Sequence, residues 1–133
     1  DQTGANYTAG VAMTFDQEVY DITGWHSTAT DSSRLTCPVG VSKVMVGANV
    51  VIANMTADTW GALILNKDGS ANFDGAAATR QEVGSTSPNL TLNSGPVTVT
   101  GGTSYFEIIL SVESDTSIDI TALRTNFWAY AVA

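Results

Sequence analysis

The chain of 133 residues has little basic charge: five Lys and Arg residues oppose thirteen Asp and Glu residues, for a formal net charge of −8. Such a surface repels phosphate backbones, and the basic residues are scattered, so we expect no binding of nucleic acid. An acidic balance with only 14% charged residues is typical of extracellular proteins, and we expect the chain to act outside the cell.

Cysteine and long apolar runs are also scarce. Cys37 is the single cysteine, which excludes an intrachain disulfide and therefore the disulfide-stapled class of small secreted domains. It lies beside Pro38 with no base nearby in sequence, so we interpret it as a small buried residue. The longest apolar region, residues 44–53, is interrupted by Gly47 and Asn49 and falls short of the roughly 18 apolar residues that a membrane helix needs, so we expect no membrane span.

What the chain does contain is typical of β structure. Thr, Val, Ser, Gly and Ala dominate, and short alternating runs are separated by Gly, Pro, Asn and Asp. Residues 43–54 form the longest β-branched run, and residues 104–113 are apolar on both faces, which predicts a strand central to its sheet. The pattern predicts an all-β fold, a jelly-roll sandwich of two antiparallel sheets, and the length fits one domain of residues 1–133.

Four other segments have less regular patterns. Residues 10–15 alternate and predict a first strand, whereas residues 16–31 predict a long ordered loop. Residues 72–83 predict a further strand, and residues 126–132 predict a final strand that packs into a sheet. The chain begins without Met, so we expect a processed product or a piece of a longer protein.

Catalytic residue patterns are missing from the sequence. His26 is the only histidine, and no Gly-x-Ser-x-Gly motif presents a nucleophile, so a Ser-His-Asp site has no basis. One His and one Cys do not supply the four nitrogen and sulfur ligands of a structural zinc site. A glycine-rich phosphate-binding motif is absent as well. We therefore predict that the chain is not an enzyme.

Two groups of residues are candidates for ligand binding. Asp16, Glu18 and Asp21 place three carboxylates within six residues, which suits calcium, although the spacing is not that of an EF-hand and the acids could instead solvate a loop or cap turns. Trp25 and Trp60 could stack on sugar rings, against the alternative that they lie in the core or an interface.

Several segments together resemble a known family over nearly the whole chain. These segments are residues 15–21 (FDQEVYD), 24–26 (GWH), 34–38 (RLTCP), 46–50 (VGANV), 65–69 (LNKDG), 102–106 (GTSYF) and 126–130 (NFWAY). They resemble the globular jelly-roll domains related to complement C1q and tumour necrosis factor. The Phe-Asp-x-Glu-x-x-Asp-x-x-Gly-x-His spacing of residues 15–26 looks like versions found in virion proteins of tailed bacteriophages. The chain departs from the family at Val44 and Val46, where aromatic residues are common.

The resemblance implies a homotrimer on the surface of a virion, where such domains decorate capsids or cap fibres. Its partners would be the other two copies, the major capsid protein or a fibre stalk, and a glycan of the host surface. Phe106, Ile108, Trp128 and Tyr130 lie on the two most apolar strands, and we expect them at the interface between copies. The competing hypothesis is a monomeric carbohydrate-binding module that uses Trp25 or Trp60, with calcium beside them.

Overall fold

The computed structural model describes residues 7–18, 21, 23–56, 58–83, 87–113, 117–121 and 124–133. Ten strands account for its regular structure, so the predicted all-β fold is confirmed. Their bounds are β1 (Tyr7–Thr8), β2 (Leu35–Thr36), β3 (Lys43–Ala53), β4 (Thr59–Lys67), β5 (Ala78–Val83), β6 (Asn89–Asn93), β7 (Val97–Thr98), β8 (Tyr105–Val112), β9 (Ser117–Ile120) and β10 (Asn126–Ala131).

The strands form the two antiparallel sheets of a jelly-roll sandwich. In the first sheet, β3 is central: Gly47 pairs with Trp128 of β10 on one side and with Asn93 of β6 on the other. The strand β7 continues the line of β6 along β3, and β9 joins β3 to β1. Among the described strands, β10 pairs only with β3 and thus forms an edge. The second sheet has the order β2-β8-β4-β5.

The core lies between the sheets, and its composition follows the two-residue period of the strands. Along β3, the side chains of Val44, Val46, Ala48, Val50 and Ile52 are buried, whereas alternate residues face outward. Along β8, residues 106, 108, 110 and 112 are buried in the same way. The prediction that this strand is central is confirmed, because β8 pairs with both β2 and β4.

A β-bulge joins β6 to β7. Asn93 pairs with Gly47 and Val97 with Val44, so three residues on this side oppose two on β3. Ser94 fills the gap: its amide donates to the Val46 carbonyl at 2.8 Å, and its Oγ accepts from the Val46 amide at 2.9 Å. These two bonds between Ser94 and Val46 therefore continue the hydrogen bonding of β3 through the bulge.

The first predicted strand, residues 10–15, is only partly regular. The segment runs along β8 through hydrogen bonds from the amides of Gly10 and Met13 to the carbonyls of Leu110 and Ile108. Met13 and Phe15 are buried as their alternation predicts, but Val11 is exposed. Gly10 has a φ of +84°, which breaks the extended conformation immediately before Val11.

The predicted strand at residues 72–83 begins later than expected. Only Ala78–Val83 is a strand, because the preceding residues turn. Gly75 has a φ of +86°, and the Ala76 amide donates to the Phe73 carbonyl at 3.0 Å. The turn directs the ring of Phe73 toward the core, where it meets the ring of Phe106 edge-on at 6.2 Å between centroids.

The long loop predicted at residues 16–31 contains no strand in the part that the structure describes; residues 19, 20 and 22 lie outside it. Trp25 packs against the core, and its carbonyl accepts a hydrogen bond from the Thr36 amide at 2.6 Å. The loop is therefore ordered by contacts with both the core and β2.

No helix among the described residues is long and apolar enough to span a membrane.

Candidate functional site

An aromatic surface occupies part of the outer side of the first sheet, with the exposed Lys43 at its border. It is built from three cross-strand rows on β10, β3 and β6, and none of its side chains is Asp, Glu, Lys or Arg. We call it the aromatic face and define it by Trp128, Gly47, Asn93, Tyr130, Met45, Asn126, Asn49 and Thr91, together with Val132 beyond the end of β10.

Alternation along β10 determines which side chains reach this surface. Phe127 and Ala129 point inward and pack against the core, where the rings of Phe127 and Phe15 lie 5.4 Å apart. Trp128, Tyr130 and Val132 point outward and remain 36%, 46% and 45% exposed. Three large apolar side chains at i, i+2 and i+4 thus form one stripe on an edge strand.

Gly47 shapes the centre of the aromatic face. A Cβ atom at this position would lie 2.5 Å from Cε2 of Trp128 and 2.7 Å from Oδ1 of Asn93. The indole and the Asn93 amide therefore meet over the bare backbone of β3, and they bury Gly47 although it lies on the outer side. A glycine inside a strand often marks such a close approach.

Tyr130 extends the aromatic surface next to Trp128. The two rings are nearly parallel, with an angle of 11° between their planes and 5.6 Å between their centroids. The Tyr130 hydroxyl donates to Sδ of Met45, its cross-strand partner, at 3.2 Å. Both rings thus contact β3, and each is held by a neighbour.

The third row is polar and fixed by hydrogen bonds. Asn49 Nδ2 donates to the Arg124 carbonyl at 2.7 Å, and the Thr91 hydroxyl donates to Asn49 Oδ1 at 3.0 Å. These bonds set the orientation of the Asn49 amide. The aromatic face therefore combines a flat apolar area with a neutral polar margin.

The structure divides the four residues predicted for an interface. Phe106 and Ile108 are 0% exposed and point into the core between the two sheets. The prediction that they lie in an interface between copies is therefore wrong. The apolar set of alternate residues in β8 is the one that packs against the other sheet, whereas the outward set includes Glu107 and Ser111. Trp128 and Tyr130 are exposed neighbours on the aromatic face.

The two tryptophans predicted to bind sugar lie apart from the aromatic face. Trp25 is half-buried and packs against the core. Trp60 is half-buried on the outer side of β4, and the guanidinium of Arg80 lies 4.4 Å from its ring centroid. One face of the Trp60 ring is therefore already covered by a cation from within the chain.

The carboxylates predicted to bind calcium do not assemble into a metal site. Among the described residues, no group of three or more His, Cys, Asp and Glu side chains could hold a metal ion. Asp21 instead accepts hydrogen bonds from the amides of Thr23, Gly24 and His26 at 3.2, 2.8 and 2.9 Å. Glu18 Oε1 lies 3.3 Å from Nδ1 of His26. The alternative of turn capping thus accounts for Asp21.

The environment of Asp21 changes its pKa. Burial by itself raises the pKa, but the hydrogen bonds from the amides of His26, Trp25, Thr23 and Gly24 together outweigh burial and lower it. The ionised carboxylate is therefore the form that holds the loop together.

We expect Asp21→Ala to lower the free energy of unfolding by about 1–2 kcal/mol at pH 7, as does the loss of a capping acceptor. Because the pKa of Asp21 is lowered on folding, this stabilisation is fully present above the ordinary carboxyl pKa of about 3.9 and is lost as the pH falls through the lowered pKa of the folded state. Urea denaturation at pH 7 and pH 3 measures the difference. Asp74→Ala, at an exposed turn, is the control, and a gap between wild type and Asp21→Ala that is as large at pH 3 as at pH 7 would contradict the capping role.

The remaining reactive side chains are engaged or buried. The side chain of His26 is only 7% exposed, and its Nε2 lies 3.0 Å from the Ser32 carbonyl oxygen. Cys37 is fully buried, as predicted, and burial together with the charge of Asp68 raises the pKa of its thiol to about 11. At neutral pH the thiol is therefore protonated and inaccessible, which makes it a poor nucleophile.

Comparisons with known protein families and with curated proteins give no match to this chain.

The sequence indicated Trp128 and Tyr130 but not the residues that surround them. In the sequence, Gly47 interrupts an apolar run and belongs to the segment VGANV, and neither observation predicts an aromatic neighbour. An isolated glycine inside a β-branched strand is itself a signal of close approach, and it could have indicated where an aromatic side chain lies. The partners Asn93 and Met45 depend on strand register, which the sequence does not reveal.

Proposed function

We propose that this chain is a non-catalytic structural domain of a virion surface, which assembles as a homotrimer and decorates a capsid or caps a fibre. The aromatic face supports the assembly. The virion setting rests on the resemblance of residues 15–26 to domains of tailed bacteriophages.

Charge favours the aromatic face as the place where copies meet. Each copy carries a net charge of −8, so two copies repel each other unless they meet where acidic side chains are absent. The aromatic face offers Trp, Tyr and Met side chains and no acidic ones. Aromatic residues and Met are enriched at the centres of protein interfaces, and charged residues are depleted there.

Threefold symmetry adds a requirement to this interface. Around a threefold axis, the contact is heterologous, so the patch that one copy presents meets a different patch on the next copy. The aromatic face therefore supplies one half of the contact. Folding and assembly are then linked, because association stabilises the folded protomer.

Light scattering after size exclusion tests the assembly. We expect a mass three times that of the 13.9 kDa chain at micromolar concentration, and we expect the double variant Trp128→Ser, Tyr130→Ser to elute as a monomer with an unchanged circular dichroism spectrum. Val39→Ser, which removes a side chain that is 88% exposed outside the aromatic face, is the matched control and should remain a trimer.

A monomeric wild-type chain would overturn the trimer. If that monomer bound a neutral glycan on an array, and Trp128→Ser abolished the binding, the aromatic face would belong to a carbohydrate-binding module instead. The virion setting has its own test: the gene should lie among genes for capsid or tail proteins, and a neighbourhood of metabolic genes would contradict it.

A further inference from the structure

The residue beneath Trp128 has a larger role than its size suggests. We infer that Gly47 is the positioning residue of the self-association surface: by lacking a side chain, it lets the indole of Trp128 lie against the backbone of β3 as the ordered anchor that a second copy contacts. This inference rests on the proposed assembly and names the residue that determines the shape of its surface.

The geometry leaves no alternative residue at this position while the indole stays in place. Even the Cβ of alanine would lie 2.5 Å from Cε2 of Trp128, well inside van der Waals contact. Because Gly47 pairs with both Trp128 and Asn93, a side chain here would intrude between two neighbours at once. The ring would have to swing away from β3, and its contact with the backbone of Gly47 would be lost.

The indole has two ordered neighbours. The backbone of Gly47 lies against it, and the Tyr130 ring is stacked with it at 5.6 Å between centroids. An aromatic anchor that is already ordered loses little side-chain entropy on association, and such anchors contribute much of the binding energy of interfaces. Trp128 thus has the features of a preorganised anchor, and Gly47 provides the most restrictive of its contacts.

A second copy of the chain is the occupant that the charges favour. The rows that carry Trp128, Tyr130 and Asn49 contain no ionised side chain, whereas the chain as a whole carries −8. A strongly acidic copy can approach this surface with less repulsion than elsewhere. A basic partner would instead be drawn to the acidic remainder of the molecule.

The test is a double-mutant cycle on Gly47 and Trp128. We expect Gly47→Ala to weaken trimer association at least tenfold in sedimentation equilibrium, while circular dichroism and unfolding of the dissociated protomer show the fold intact. In the Trp128→Ala background, Gly47→Ala should have a much smaller effect on association, because the clashing ring is gone and only the end of the Asn93 side chain has to move. Gly95→Ala is the matched control, since a Cβ there meets nothing within 4 Å, and it should leave association unchanged.

The outcomes separate this inference from the function on which it rests. If the wild type is a trimer and Gly47→Ala associates equally well, the positioning role is wrong and the assembly stands. If Gly47→Ala weakens association equally with and without Trp128, the effect passes through the strand and the positioning role is again wrong. A wild type that is monomeric overturns the assembly itself.

Discussion

Phe106→Ala is expected to lower the free energy of unfolding by about 3–5 kcal/mol, the range found when buried aromatic residues are truncated. The Phe106 ring is 0% exposed and meets the Phe73 ring edge-on, so its removal leaves a cavity between the sheets. Since domains are stable by only about 5–15 kcal/mol, the variant would be partly unfolded or nearly so at 37 °C. Urea denaturation followed by circular dichroism measures the loss.

Phe106→Leu is the comparison that isolates the cavity. It keeps most of the apolar volume, so we expect a clearly smaller loss of stability than for Phe106→Ala. A loss below about 1 kcal/mol for Phe106→Ala would be typical of a surface residue and would restore the sequence-based prediction that the ring faces another copy.

Gly101→Ala should be the second large effect, at about 1–3 kcal/mol, because it overpacks a site that cannot adjust. A Cβ at this position would lie 2.5 Å from the Pro38 carbonyl oxygen and 2.9 Å from both the Gly40 amide nitrogen and the Val41 carbonyl oxygen. All three atoms belong to the backbone, so no side chain can rotate away and the turn itself must move.

Thermal unfolding of Gly101→Ala and Gly95→Ala side by side gives the measurement. Both replace a glycine by alanine near the ends of β7, but only Gly101 is in contact with other backbone atoms. We expect Gly95→Ala to stay within about 0.5 kcal/mol of the wild type. Equal losses for the two variants would show that backbone entropy, and not the contact with residues 38–41, determines the effect.

The long strands were predictable because their patterns have a single structural solution. Residues 43–54 are rich in Val and Ile and cover β3 to within one residue, and residues 104–113 cover β8. The central position of β8 agrees with its high apolar content, which extends to Tyr105 and Ile109 on the outward face. Local preference and tertiary packing agree in these two segments.

The two faces of β10, in contrast, were not predictable from its sequence, because both carry apolar residues. Where both faces are apolar, alternation does not tell which set points inward, and only the opposing sheet decides. In β10 the smaller Ala129 points inward and the larger Trp128 outward, which reverses what size alone suggests. The indole lies over Gly47, which belongs to another strand 81 positions away in sequence.

Side chains that bond to the nearby backbone set a further limit on prediction. The sequence does not distinguish the roles of the three acidic residues Asp16, Glu18 and Asp21. In the structure, Asp21 accepts hydrogen bonds from backbone amides of its own loop. Metal binding and turn capping use the same residue types, and they differ only in where the backbone amides point. The direction of those amides depends on the loop conformation, which has no periodic signal.

The bulge at Ser94 changes which alternate positions of the chain face the core. Before it, Leu90 and Leu92 face the core; after it, Val97 and Val99 do, which is a shift from even to odd positions. The one extra residue makes that shift, so a deletion of Gly95 would remove the bulge and leave two residues opposite Met45 and Val46, with Val97 still paired with Val44 and still facing the core. The first sheet can therefore lose one residue at this connection and keep its core residues, whereas the loss of one residue inside β6 would turn part of that strand inside out.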